Sequence, residues 1–167
     1  QLMDGVMFMH TRRLRRAREM LDDPNSVGTI RRIAMQFSFD GGDEFLRSNI
    51  RTHSELEPQG CLGDLGWYCI RFALWTMRYE MPLQATGRII TEIAGENSPG
   101  TVPSQFSGEL IFANGVTASF YNSFITENQQ WAHVSGSKGF LQIPDFVLPF
   151  KGDQARIHLT KSKFKIN

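Results

Sequence analysis

The chain reads as an α+β domain, an open, mostly antiparallel β-sheet with helices covering one face. Three observations predict it. Helical periodicity is confined to the first half of the chain, whereas from Leu83 onward short runs of β-formers alternate with turn residues. Asn114-Gly115 and Gly136-Ser137-Lys138-Gly139 carry hairpin chemistry, which implies antiparallel pairing. The length, 167 residues, suits one domain with a core that needs no disulfides.

The elements follow in order. Met3 to His10 alternates weakly and predicts a short strand or extended entry. Thr11 is placed to cap a helix in which Leu14, Ala17, Met20 and Leu21 recur at helical spacing. Arg12, Arg13, Arg15, Arg16 and Arg18 occupy its other faces, and Asp22, Asp23 and Pro24 end it. Ile30 to Phe39 predicts a strand with Ile33, Met35, Phe37 and Phe39 pointing one way. Asp40 to Asp43 mark a loop, followed by a helical turn through Phe45 and Leu46 and a polar connection to Pro58. Gly60 to Met77 predicts a core-packed helix, with Ile70, Ala73, Leu74 and Met77 at the i, i+3, i+4, i+7 positions. Strands are then expected at Gln84–Ile93, Gln105–Phe112, Val116–Ile125, Trp131–Ser135, Phe140–Ile143 and Arg156–Leu159. Phe106, Phe112, Phe120, Tyr121, Phe124 and Trp131 are too many aromatics for one helix-covered face. Part of the second face is therefore expected to be sticky toward a dimer partner or another domain.

Composition excludes several classes. Hydrophobic residues make up 41% and charged residues 21%, with 13 Phe, which is a packed globular composition. A net charge of +1 favours neither nucleic acid nor an anionic membrane as partner. Glu19, Asp22 and Asp23 follow the arginine-rich helix, which therefore reads as a solvated face. No apolar run approaches the ~20 residues a membrane helix needs. Cys61 and Cys69 lack metal or redox spacing and no N-glycosylation acceptor occurs, so a reducing, cytoplasmic setting is expected. All five lysines lie at or beyond position 138, leaving arginine to carry the positive charge before it.

One stripe carries potential chemistry. Asp64, Tyr68, Arg71 and Trp75 are spaced by four, three and four residues, which places them on one helix face. Asp64 falls in the first turn, where the helix dipole favours negative charge, and Tyr68 stands one turn later. Gly63 and Gly66 beside them would let a ligand approach the backbone, so the two form a candidate proton-transfer pair. The structural alternative stays open: the Asp as dipole compensation, the Tyr as a hydrogen-bonded core residue. Tyr68 as a base needs a nearby cation, because an unperturbed phenol has a pKa of about 10. Arg71, or a lysine outside this chain, is expected to provide it. Gly60, Gly63 and Gly66 match no phosphate-binding pattern, and Cys61, Cys69, His10 and His53 have no chelating spacing.

The run Gly60-Cys61-Leu62-Gly63-Asp64-Leu65-Gly66-Trp67-Tyr68-Cys69-Ile70, followed by Pro82 and a strand, resembles the G-x-L-x-D-x-G-x-(Tyr/His) helix of the Gfo/Idh/MocA oxidoreductases. Met3 to Phe8 is similar to that family's crossover out of its nucleotide domain, and Val27 to Ile30 to its turn into the first sheet strand. Phe112 to Val116 and Val134 to Gly139 are similar to its later hairpins. The resemblance implies a glyceraldehyde-3-phosphate dehydrogenase-like C-terminal domain. Residues 1–10 would end the crossover from an N-terminal Rossmann domain, and residues 11–167 would form the substrate-binding and dimerisation domain, incomplete at its C-terminus. It implies NAD or NADP held mainly by the other domain, a sugar, polyol or dihydrodiol substrate, and a homodimer through the open sheet face. Asp64 and Tyr68 match the family's active-site Asp and acid/base Tyr. The family's Lys, from a Glu-Lys-Pro motif, has no counterpart and is expected upstream of Gln1, so this chain alone is expected to be inactive. His10 and Arg12 fall where the family borders its substrate pocket, and Trp67 flanks the pair as a further candidate wall. A non-catalytic dinucleotide-sensing or protein-interaction relative on the same sheet is the alternative.

Overall fold

The computed structural model describes residues 5–150, 152 and 154–161. The chain enters through a 3₁₀ turn, Met7–His10, where a strand was expected; Met3 and Asp4 lie outside the described residues. The cause is local. Met9 N donates to Val6 O at 3.1 Å and Thr11 N to Phe8 O at 3.2 Å, and the Thr11 hydroxyl ties back to Phe8 O at 2.8 Å. Thr11 also caps the following helix as its position predicts, accepting from Leu14 N at 3.3 Å.

Helix α1 (Arg12–Asp22) buries Leu14, Ala17 and Leu21 and ends at the expected acidic run. Its arginines depart from a solvated face in two places. Arg13 is buried and paired with Asp145, and Arg18 lies over the Trp75 ring, 4.2 Å from its centroid. Strand β1 (Ile30–Asp40) follows, then the short α2 (Gly42–Ser48) and a 3₁₀ turn at Ile50–Thr52. The predicted Gly60 to Met77 helix is not uniform: Leu62–Gly66 form a π-turn before the regular α3 (Trp67–Thr76).

The remaining strands are β2 (Gln84–Ile93), β3 (Val102–Ile111), β4 (Thr117–Ser123), β5 (Ile125–Gly136), β6 (Phe140–Ile143) and β7 (His158–Thr160). Together with β1 they form one open sheet in the order β2-β3-β4-β1-β5-β6-β7. Every neighbouring pair is antiparallel except β1 with β4. Asn114 and Gly115 both take positive φ in the β3–β4 connection, as an Asn-Gly turn requires.

The core lies between one sheet face and helices α1 and α3. It joins Leu14 and Ala17 to Phe72 and Ala73, and both to Ile33, Met35, Phe120 and Val134 beneath them. Each such side chain withdrawn from water contributes roughly 1.5–3 kcal/mol before entropy is counted. A smaller cluster of Cys61, Leu65 and Phe124 fills the end nearest α2, against Phe39 and Phe45. The six aromatics expected to crowd both faces divide unequally. Phe106, Phe112 and Phe120 join the main core and Phe124 the smaller one, so only Tyr121 and Trp131 turn the other way. Parity explains it: Phe106 pairs with Asn122 and Phe120 with Gly108, one position out of phase with Tyr121. The second face is instead a polar lattice. Arg32 donates to Ser119 Oγ at 2.9 Å, Gln36 to Ser38 Oγ at 3.0 Å, and Trp131 Nε1 to Gln129 Oε1 at 2.9 Å.

Candidate active site

Three segments converge where α3 begins. The first is the π-turn. Gly60, at φ +48, starts this helical stretch with its Cα against the Pro103 carbonyl, an approach that leaves no room for a Cβ. Gly66 is buried, and a Cβ there would stand 3.1 Å from Asn122 Oδ1 and 2.7 Å from Leu62 Cδ1. Gly63 lies against the Glu57 carboxylate. These glycines therefore serve close packing of the turn on β3, on β4 and on the 53–59 loop, which corrects their reading as openings for a ligand.

The turn carries Asp64, and the first turn of α3 carries Tyr68. The Tyr68 ring is half-buried between two others, Phe37 of β1 at 5.4 Å edge-on and Phe8 at 6.3 Å. Burial and the Asp64 carboxylate push the phenol above its ordinary value, while Arg51 pulls it back. Arg51 is the residue that sequence reasoning missed. It sits in the Ile50–Thr52 turn and places Nε 2.7 Å from Asp64 Oδ1. Arg51 thus places a cation near the phenol from a different segment than Arg71. Arg71 lies further along α3, with its guanidinium 5.3 Å from the centre of the Tyr79 ring.

The stripe expected on one helix face separates by function. Asp64 and Tyr68 share electrostatic surroundings, whereas Trp75 packs with Phe72 and Arg18 at the opposite end of α3. Trp67 is 49% exposed beside Tyr68, and Ile50, next to Arg51, is 61% exposed. His10 and Arg12 are exposed, and His10 borders a groove with Met9, Leu14, Arg15 and Trp75 along α1. From that entry segment it is Phe8 that reaches Tyr68.

Both cysteines are free, and burial pushes each thiol up to about 12. Cys61 Sγ donates to Asn122 O at 3.6 Å, and Asn122 Nδ2 donates to Cys69 Sγ at 3.5 Å. A cavity of about 390 Å³ lies at the far end of α3, lined by Arg18, Asp22, Thr76 and Arg78 among others. There Arg18 donates to the carbonyls of Trp75 and Thr76, and Arg78 pairs with Asp22 at 2.7 Å. Arg18 thus caps the helix end, about 12 Å of helix away from Tyr68.

Chemically, the α3 start offers a half-exposed phenol, a carboxylate and a guanidinium in one place, a set suited to donating or accepting a proton at a substrate oxygen. No helix among the described residues is long and apolar enough to cross a membrane.

A family model described as the GFO/IDH/MocA C-terminal domain matches residues 14–142. Among solved structures, the chain is similar to an aldose-aldose oxidoreductase from Caulobacter crescentus complexed with glycerol, at TM-score 0.76 and 21% identity, covering 100% of this chain and 49% of that one. It is also similar to a 3-ketoreductase from Actinomadura kijaniata in complex with NADP, at TM-score 0.73 and 23% identity, covering 98% and 45%. A third is GenD2 from gentamicin A biosynthesis in complex with NAD, at TM-score 0.69 and 22% identity, covering 84% and 38%. At such identities the likeness is one of fold, and the chain spans less than half the length of these proteins.

Proposed function

The chain belongs to the GFO/IDH/MocA C-terminal domain family, and from that premise we propose that it is the substrate-side domain of an NAD(P)-dependent oxidoreductase. Its substrate in this reading is a sugar, polyol or dihydrodiol. Tyr68 exchanges a proton with the reacting oxygen, and Asp64 orients the hydroxyl. The names of the fold relatives agree in kind, since an aldose-aldose oxidoreductase and a 3-ketoreductase both work at sugar-like or carbonyl carbons.

The observation that carries the reading is the setting of Tyr68. Its ring is fixed by Phe8 and Phe37, yet the residue remains half-exposed, with Asp64 and Arg51 as the charges it feels among the described residues. A core tyrosine serving only packing has no need of a carboxylate and a guanidinium beside it. The nicotinamide, when bound, supplies or accepts the hydride. The residues here fit one side of such a site: Trp67, which precedes the tyrosine in sequence, and Ile50, which precedes Arg51, keep large apolar side chains exposed, as contact with a flat ring or a sugar face requires.

The direction of the phenol shift has a consequence for chemistry. Burial and Asp64 favour the protonated form, so Tyr68 as placed here is a proton donor to the oxygen formed on carbonyl reduction. Acting as the base in alcohol oxidation calls for further positive charge, which the resemblance assigns to a lysine outside this chain. In the full-length protein, Tyr68→Phe is expected to lower kcat by roughly 10²–10⁴-fold while nicotinamide affinity changes by less than about twofold. A panel of sugars, polyols and dihydrodiols with NAD and NADP identifies the substrate for that measurement. Retention of wild-type kcat by Tyr68→Phe removes the proposed role.

A further inference from the structure

The Arg51–Asp64 pair is more elaborately built than an exposed ion pair requires. Arg51 sits in a turn fastened at several points. The Asn49 side chain accepts from Arg51 N at 3.0 Å, and the Thr52 hydroxyl donates to Asn49 O at 2.7 Å. Thr52 itself is fully buried. The 95–96 segment then locks the turn from outside, with Gly95 N on Thr52 O at 2.8 Å and Glu96 N on Arg47 O at 2.6 Å. From this platform Arg51 Nε reaches Asp64 Oδ1 at 2.7 Å, with the two side chains 41% and 21% exposed. Exposed ion pairs add little to stability, so stability alone does not account for a backbone fastened at so many points beneath this guanidinium.

The surroundings restrict what the pair acts on. Toward Tyr68, β1 and the Met7–His10 turn present the rings of Phe37 and Phe8. Among the described residues, the charged groups that the phenol feels are Asp64, one turn before it, and Arg51 from the 49–52 turn. Glu57, from the intervening loop, lies against Gly63 and is hydrogen-bonded to Gln59 N at 3.3 Å.

We propose that Arg51 is a positioning residue of this site: its guanidinium fixes the direction of the Asp64 carboxylate and sets a positive charge beside the Tyr68 phenol from within the chain itself. The inference rests on the proton-transfer reading of Tyr68. It assigns to a guanidinium part of the electrostatic work that the resemblance gives wholly to a lysine on another domain. Arginine suits the task, because its planar fork holds a carboxylate in one orientation and its charge does not titrate near neutrality.

The test uses the full-length protein with Arg51→Met, Arg51→Lys, Arg51→Gln and Tyr68→Phe, each checked for folding by circular dichroism and thermal unfolding. Arg51→Met is expected to lower kcat about 10–100-fold while KM and nicotinamide affinity move less than about threefold. Arg51→Lys, which keeps the charge but loses the fork, is expected to recover part of that loss, with kcat between those of Arg51→Met and wild type. A purely structural role would predict lost folding or raised KM without that rescue. If Arg51→Met fails to fold, Arg51→Gln, which keeps a donor and lacks the charge, is expected to show the same kcat loss. Wild-type kcat in folded Arg51→Met or Arg51→Gln, with Tyr68→Phe inactive, overturns the role of Arg51 and leaves that of Tyr68 standing. Equal losses in folded Arg51→Lys and Arg51→Met also overturn it. Wild-type kcat in Tyr68→Phe overturns the underlying reading, and this inference with it.

Discussion

Asn122 shows how much of the site depends on one buried amide. Fully enclosed on β4, it donates through Nδ2 to Phe37 O at 3.2 Å and to Cys69 Sγ, while its backbone carbonyl accepts from Cys61 Sγ. One side chain thus links β1, β4 and the helix that presents Asp64 and Tyr68. Both thiols beside it are pushed from an ordinary 9.0 up to about 12, chiefly by burial. The sign follows directly. Because the folded state holds these protons more tightly than the unfolded chain, the stabilisation is complete below pH 9 and drains away as pH rises from 9 toward 12. Tyr68, also shifted upward, adds in the same direction. Denaturant titrations of the chain are therefore expected to show falling stability across that alkaline window, and iodoacetamide is expected to modify neither cysteine until the protein unfolds. Rapid alkylation of the native protein would contradict the burial of both. At this scale the four-residue spacing of Asp64 and Tyr68 is visible in a string of letters, and their neighbourhood in the fold agrees with it. Arg51 was not legible: it lies thirteen residues earlier in a polar loop without periodicity, and only the fold brings it to Asp64. Arg71 has the spacing of the stripe, and its guanidinium lies 5.3 Å from the centre of the Tyr79 ring, a contact that spacing does not reveal.

Among the elements, α1 is the clearest instance of a helix whose limits are local and whose role is not. The Thr11 cap, the apolar spacing and the terminal acidic run place it from sequence. The role of Arg13 depends on a carboxylate 132 positions away. Arg13 pairs with Asp145 at 5% and 8% side-chain exposure and donates to the carbonyls of Asp145 and Phe146, while Asp145 Oδ2 accepts from Phe150 N at 2.9 Å. The pair fastens the segment after β6 to the helix and so holds Phe146 against Phe8 and Phe72, behind Tyr68. Removing one partner strands a buried charge. Asp145→Ala is therefore expected to cost about 3–5 kcal/mol, whereas Arg16→Ala, which breaks the exposed Arg16–Glu19 pair, is expected to cost less than about 1 kcal/mol. Urea unfolding of both variants decides the point, and equal losses would show that Asp145 fastens nothing. Two further elements were only partly legible for physical reasons. The π-turn at Leu62–Gly66 interrupts what periodicity alone reads as one helix, because its two glycines are placed by packing on Asn122 and Glu57. The first half of β5, Ile125 to Gln130, is a polar run with few β-formers, and β1 holds it extended through pairs such as Ser38 with Gln129.

For the molecule as a whole, the decisive feature is the insertion of β1 between β4 and β5. Hairpin signals report only neighbours in sequence, so they predict antiparallel pairing and are silent about a strand that arrives from the other end of the chain. The parallel β1–β4 pair arises this way. Phe124 is the corner between β4 and β5 and passes over the end of β1, where Gly41 N donates to Phe124 O at 2.9 Å. β1 is thereby hydrogen-bonded on both sides, with Ile33 and Met35 buried, and Phe37 at its far half supports the Tyr68 ring. β2 is the opposite case. Among the described residues it is an edge strand paired only with β3, nearly every residue is exposed, and Ile89 and Ile90 are 48% and 42% accessible. Stability should therefore grade across the sheet from β1 outward, because a strand with one partner and no covering layer opens without breaching the core. Native-state hydrogen exchange on the chain is expected to show the Ile33–Phe37 amides exchanging only through global unfolding. The β2 amides should exchange through local opening at least about 2 kcal/mol lower, with little dependence on denaturant. Equal protection in β1 and β2 would mean that the β2 edge is covered by something in solution, and the site-bearing centre of the sheet would then share its rigidity with the rim instead of exceeding it.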